Sequence, residues 1–147
     1  MQFCVAAGEG ARLALRFAGK TGSASGQPID AEVEIRHVVR GATQTFGQSV
    51  VDMGDCAAIR VGGIDIVLTT RRRQAFGTDL FSNLGIDPSA QKIVVVKSTN
   101  HFYASFAPIA KDVLYVDSGG PLPRDLRALV FRRIERPKWP FDEQPFG

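Results

Sequence analysis

In the first half of the chain, apolar and polar positions alternate with period two. Leu13, Leu15 and Phe17 face one way and Arg12, Ala14 and Arg16 the other, which predicts a half-buried strand over 11–17. Val33, Ile35 and His37 alternate with Glu32, Glu34 and Arg36, predicting a second strand over 31–39. A further strand is expected over 44–52. Two apolar runs, 57–61 and 64–70, then flank Gly62-Gly63. Two glycines between apolar runs predict a hairpin with a type I′ turn, because that turn needs positive φ at both central residues. The stretch 21–28 is rich in Gly and Ser and reads as a loop.

The rhythm changes after Phe76. Thr78 is placed to cap a short helix ending near Leu84, with Gly85 where a left-handed C-terminal residue belongs. Asp87-Pro88 turns the chain into an apolar β-branched run, 92–97, expected to be a buried strand. Ser98 then caps a helix from Thr99 to Phe106, with Phe102 and Phe106 stacked at i, i+4, ending before Pro108. Residues 112–117 read as the last strand. The pattern predicts an α+β (mixed α/β) fold: a β-rich N-terminal half with hairpins, then a β-α-β-α-β segment on a mixed sheet. Right-handed crossovers would make that later part parallel. Beyond Ser118 the chain reads as irregular, with Trp139 of Pro137-Lys138-Trp139-Pro140 expected to pack as an apron against the domain or against a neighbour. No internal repeat or linker interrupts it, so residues 1–147 are expected to form a single domain.

Composition narrows the function classes. Hydrophobic content of 44% and charged content of 22% suit a soluble globular domain, and no apolar run reaches the length of a membrane span. The first residues lack a basic start and a secretory h-region, so a cytoplasmic location is the expectation. Cys4 and Cys56 do not make a disulfide framework and read as buried thiols. The net charge of +3 is mild, and acidic residues interrupt the arginine clusters at 71–73 and 124–136, which makes nucleic-acid binding unlikely.

Chemistry concentrates at two predicted strand ends. Ligands of open α/β sheets sit beyond the carboxyl ends of strands, at the helices that follow. Lys97, Ser98 and His101 occupy one such position. Arg71, Arg72 and Gln74 follow another, and could join Lys97 in an anion or carbonyl site if the two strands are neighbours. Each has a plainer reading: Ser98 as helix cap, His101 as a packing residue, Lys97 and the arginines as a solvated edge. Gly19-Lys20-Thr21 is no phosphate loop, because Ala14 stands where the loop's first glycine is required. His37 and His101 are the two histidines, neither has a partner at i+3 or i+4, and Cys4 and Cys56 are isolated, so no metal site is expected in this chain.

Four blocks carry a family resemblance, in order along nearly the whole chain. They are Phe17-Ala18-Gly19-Lys20-Thr21 with Gly26-Gln27-Pro28, the stretch from Arg60 to Phe76, the stretch from Val94 to Phe102, and Arg132-Arg133-Ile134-Glu135-Arg136-Pro137-Lys138-Trp139-Pro140-Phe141-Asp142. Together they resemble the C-terminal domain of the MlrC (microcystinase C)-like zinc metallopeptidases. Ala18 stands where that pattern has glycine, and Arg73 is an added arginine.

The resemblance implies an accessory domain of a two-domain peptide hydrolase. Zinc and its ligands would belong to an N-terminal catalytic domain absent here, supplied in cis or as a separate chain. The chain alone would then lack peptidase activity, and its catalytic residues are none. Lys97, Ser98, His101, Arg71, Arg72 and Gln74 would face the catalytic domain or its substrate. The alternative is a free-standing small-ligand or anion-binding domain built on the same residues.

Overall fold

The computed structural model describes residues 1–22, 25–119 and 125–142. It divides into two compact units: Met1–Arg16 with Asp30–Leu114, and Phe17–Ile29 with Tyr115–Gly147. A short helix, α1 (Gln2–Ala7), precedes four strands: β1 (Arg12–Phe17), β2 (Ile29–Phe46), β3 (Ser49–Val61) and β4 (Ile64–Thr69). They form one sheet in the order β1-β2-β3-β4. β2 with β3 and β3 with β4 are antiparallel. Two short helices follow, α2 (Asp79–Ser82) and α3 (Tyr103–Phe106), with 3-10 turns at Pro88–Ala90, Ala107–Ile109 and Leu126–Ala128.

The period-two reading holds where the alternation is clean. Along β1, Leu15 is buried while Arg12, Ala14 and Arg16 are exposed, and Val33 and Ile35 are buried on β2. The strand expected over 44–52 is instead the tip of a hairpin. β2 runs on to Phe46, the chain reverses at Gly47 in a left-handed conformation, and Phe46 pairs with Ser49. β2 spans 18 residues because the register shifts between Ile35 and His37 and on either side of Ala42. Such irregularities bend a strand and let one strand serve two stretches of sheet. The Gly62-Gly63 hairpin forms, with Val61 opposite Ile64, but only Gly62 takes positive φ, so the turn departs from type I′. Its base is closed by Arg60, whose guanidinium binds both oxygens of Asp65 at 2.7 Å. That hydrogen bond holds the Asp65 carboxyl below its ordinary range.

The parallel β-α-β-α-β half does not form. Residues 92–97 and 112–117 join no strand, and among the described residues the sheet holds only the four strands above. A β-branched run marks a segment suited to a strand, but a strand also needs a paired neighbour, and residues 92–97 make no main-chain bond to another described residue. Chain reversals happen instead through short turns. After α2, Gly85 donates to the Ser82 carbonyl and Ile86 to the Phe81 carbonyl, a Schellman motif with Gly85 at φ 71°. Thr78 sits at the N-cap but its side chain does not cap the helix. Phe102 and Phe106 are buried as a pair, and α3 stops before Pro108.

The core of the first unit lies between the sheet and the segment that follows it. Ala42, Met53, Cys56 and Ala58 meet Ala75, Leu80, Leu84 and Ile86, with Val39, Val51, Val67, Phe81 and Val96 packed around them. Cys56, Ala57, Ala58 and Ile59 are all fully buried, so both faces of β3 are covered at this point. Three successive residues of β2 hold the covering segment. The Thr43 carbonyl accepts from Asn83, the Gln44 side chain is enclosed, and Thr45 donates its N–H and hydroxyl to Asp79 Oδ2. Gly77 must be glycine: a Cβ there would strike Asp79 Oδ1 and come within 2.8 Å of the Thr45 carbonyl. Asp79 Oδ1 is buried and has no hydrogen-bond partner.

In the second unit, Phe131 and Phe141 meet edge to face at 5.2 Å, and the Arg136 guanidinium lies 4.9 Å over the Phe141 ring. The peptide bonds before Pro137 and Pro140 are cis. Trp139 is 70% exposed, so it does not pack as an apron on its own chain. The start of the Gly/Ser-rich loop is ordered by a bond between the Thr21 and Ser25 hydroxyls. Residues 23 and 24 of that loop, and the stretches 120–124 and 143–147, lie outside the described residues.

Candidate functional site

Two loops carry the six candidate residues, and one buried side chain sets their shape. Gln44, 1% exposed, points inward from β2 in the same row as Ala42. Its Nε2 donates to the Gln74 carbonyl at 2.7 Å and to Met53 Sδ at 2.9 Å. Its Oε1 accepts from the N–H of Phe76 at 2.9 Å and, more weakly, of Gly77 at 3.4 Å. One amide therefore satisfies three main-chain groups of the 74–77 loop, which has no ladder to do so.

The loop so held meets the second one. Ser98 Oγ donates to Gln74 Oε1 at 3.1 Å, across 24 residues of sequence. Ser98 therefore does not cap α3, whose N-cap is Phe102. The His101 ring stands edge-on to Phe46 at 4.9 Å and to Phe76 at 5.9 Å, and Phe46 stacks on Phe76 at 4.6 Å. The tip of the β2–β3 hairpin thus supplies an aromatic floor between the two loops. The strand-end argument expected Arg71, Arg72 and Gln74 to meet Lys97; the side-chain contact between the two loops is instead that of Gln74 with Ser98, beside His101 on Phe46 and Phe76.

The cations divide. Arg71 turns to β3, with Nε 3.0 Å from Asp52 Oδ2 and its N–H on the Met53 carbonyl. Arg72 and Lys97 are exposed and have no partner among the described residues. Lys97 directly precedes Ser98, so its backbone lies within one residue of the contact between the loops. The buried lysine that a core strand would have demanded is absent, because Lys97 falls on the outward row with Ile93 and Val95.

This arrangement is an exposed polar face with aromatic footing. Two shallow hollows, one around Arg40, Asp55 and Thr70 and the other around His37, Arg60 and Asp65, include none of the six residues. Among the described residues no three of His, Cys, Asp and Glu are grouped to hold a metal ion. His37 is engaged by Glu9, Nδ1 to Oε1 at 2.7 Å. Cys4 and Cys56 are buried, and burial, assisted by Asp55 and Asp52, pushes the Cys56 thiol up to about 11. A thiol so disposed is a packing group and not a nucleophile.

Gln44, Phe46 and Phe76 escaped the sequence reading as site-forming residues. For Gln44 a signal existed: by period two it shares the inward row of β2 with Ala42, and a polar residue in a buried row needs partners.

A family model described as MlrC C-terminus matches residues 1–133. Microcystinase C of Sphingomonas sp. is 33% identical over 136 residues, which are 92% of this chain and 26% of that protein. The crystal structure of a metallopeptidase candidate from Mesorhizobium sp. BNC1 superposes with a TM-score of 0.80 at 23% identity, covering 96% of this chain and 29% of that one. At that identity the structural likeness shows the fold alone. The chain spans about a quarter of the length of the curated relative it matches. Among the described residues no helix is long and apolar enough to cross a membrane.

Proposed function

The chain belongs to the MlrC C-terminus family, and from that premise we propose that it is the accessory domain of a metallopeptidase and has no peptidase activity by itself. The observation that carries this reading is the open form of the candidate face. Gln74, His101, Lys97 and Arg72 stand exposed around a hydrogen-bonded loop pair. Such a face suits contact with a second surface better than enclosure of a substrate.

Zinc does not fit the residues described here. His101 is packed on Phe46 and Phe76, His37 is held by Glu9, both thiols are buried, and no donor triplet is assembled. A zinc ion, as the means of activating water, would accordingly belong to the catalytic portion of the longer protein. The role proposed for Gln74, Ser98 and His101 is to border the catalytic portion or the peptide it holds, with Lys97 and Arg72 offering positive charge to a carboxylate. Within the cell the cytoplasm is the proposed setting.

The test is peptidase activity of the purified chain with zinc, alone and after mixing with the separately expressed remainder of microcystinase C. Activity only in the mixture supports the accessory role. Hydrolysis by the chain alone would overturn it. Silence in both, with a folded and zinc-loaded partner, would favour a free-standing anion-binding domain built on Lys97, Arg72 and His101.

A further inference from the structure

Residues 92–97 have the alternation of a strand and none of its pairing. Val94 and Val96 are half-buried, with Val96 against the core cluster, whereas Ile93 and Val95 are 82% and 84% exposed. No main-chain N–H or C=O from 92 to 97 is hydrogen-bonded to another described residue. The segment is therefore fastened to the first unit by one row of side chains only. Its outer row and its backbone are both open. Leu114, also in this unit, is 83% exposed and equally without a main-chain partner. An open edge beside apolar β-branched side chains is what proteins normally cover, because it templates pairing with another chain.

We propose that residues 92–97 are the acceptor edge for a β-strand of the catalytic portion, an apolar strand with carboxylates at its ends. This deepens the accessory-domain reading and rests on it. The open main chain selects the class of occupant. A helix has its own main-chain groups satisfied along its length, whereas an added strand supplies N–H and C=O in register. Ile93 and Val95 call for apolar neighbours on that strand. Lys92 and Lys97, exposed and unpartnered at the two ends, call for acidic ones. The same two lysines argue against a second copy of this chain. In-register parallel pairing sets each lysine beside its own copy, and the antiparallel register that spans all six residues sets Lys92 against Lys97. The source of the strand follows from length, since about three quarters of microcystinase C lies outside the matched region.

The experiment is amide hydrogen exchange on this chain, alone and saturated with the separately expressed remainder of Sphingomonas sp. microcystinase C, with association followed by sedimentation. Amides between 93 and 97 are expected to exchange quickly in the free chain and about 100-fold more slowly in the complex. Val95→Pro, which removes an N–H that the free domain does not use, is expected to leave the thermal midpoint unchanged and weaken association about tenfold or more. Association without protection at 93–97 would overturn the strand edge and leave the accessory role standing. Failure to associate would overturn both. Protection at 93–97 in the chain alone, growing with its concentration, would overturn the proposal in favour of self-pairing.

Discussion

Gln44→Leu tests whether one buried amide builds the loop that carries the candidate face. Leucine fills a similar volume, so the change removes hydrogen bonds with little cavity. Lost with the amide are the donor to the Gln74 carbonyl at 2.7 Å and the acceptor for Phe76 N–H at 2.9 Å, besides the long contact to Gly77. Leaving a buried main-chain group unsatisfied costs about 1–3 kcal/mol, so two such groups, less the gain from burying leucine, give a loss of about 3 kcal/mol. For a chain of this length that corresponds to a fall of roughly 10 °C in the melting midpoint. Urea unfolding followed by far-UV circular dichroism measures it. A loss below about 1 kcal/mol would refute the reasoning, since it would mean that water or a shifted loop replaces the amide at no cost.

Gln44→Glu sharpens the test, because it keeps the shape and exchanges the donor. One carboxylate oxygen still accepts from Phe76, but the other now faces the Gln74 carbonyl, acceptor against acceptor. Protonation restores a donor there, so the folded state favours the neutral acid and its pKa rises above the unfolded value. A group raised in this way contributes fully below its unfolded pKa, about 4.3, and the contribution is lost as pH climbs through the folded value. The stability gap between Gln44→Glu and the parent should therefore widen from about pH 4 to pH 7. A gap independent of pH would show that the Gln74 carbonyl does not depend on this donor.

The same local rules that made the sheet readable explain where the reading stopped. β1, β4 and the Gly62-Gly63 hairpin were legible because alternation and turn chemistry are properties of a few neighbouring residues. The bend that lets β2 continue to Phe46 was not, because Gly41 reads as a break until its partner strand fixes a register shift. Residues 92–97 fail in the opposite sense. Their β-branched composition is a true sign of strand-forming capacity, but pairing is a property of two segments, and the sequence shows only one. At the site, the family pattern singled out Arg71, Arg72, Gln74, Lys97, Ser98 and His101, of which Gln74 and Ser98 are joined by a hydrogen bond. The side chains beneath these loops, Gln44 and Phe46, stand on a strand 28 to 57 residues away, and spacing along the chain holds no record of that distance.

Two smaller changes probe the rest of the fold. Ala18 sits at φ 58°, a left-handed conformation that its side chain disfavours, at the position where the family pattern has glycine. Ala18→Gly should therefore raise stability by about 0.5–1 kcal/mol, the relief of strain exceeding the entropy cost of glycine, and an equal loss in denaturant titration would contradict that φ. The last change concerns Cys56. Its thiol is fully buried and raised from 9.0 to about 11, first by desolvation and then by Asp55 and Asp52. Because the folded value lies above the unfolded one, the thiol's contribution is intact below pH 9.0 and drains away as pH rises toward about 11. Cys56→Ala should thus flatten the alkaline limb of the stability profile while costing some packing at neutral pH. Both thiols of the parent should also resist a disulfide reagent at pH 8 until urea unfolds the chain, since Cys4 is equally enclosed. Prompt labelling of Cys56 in the folded protein, or an alkaline limb unchanged by its removal, would mean that β3 is not sealed on this face.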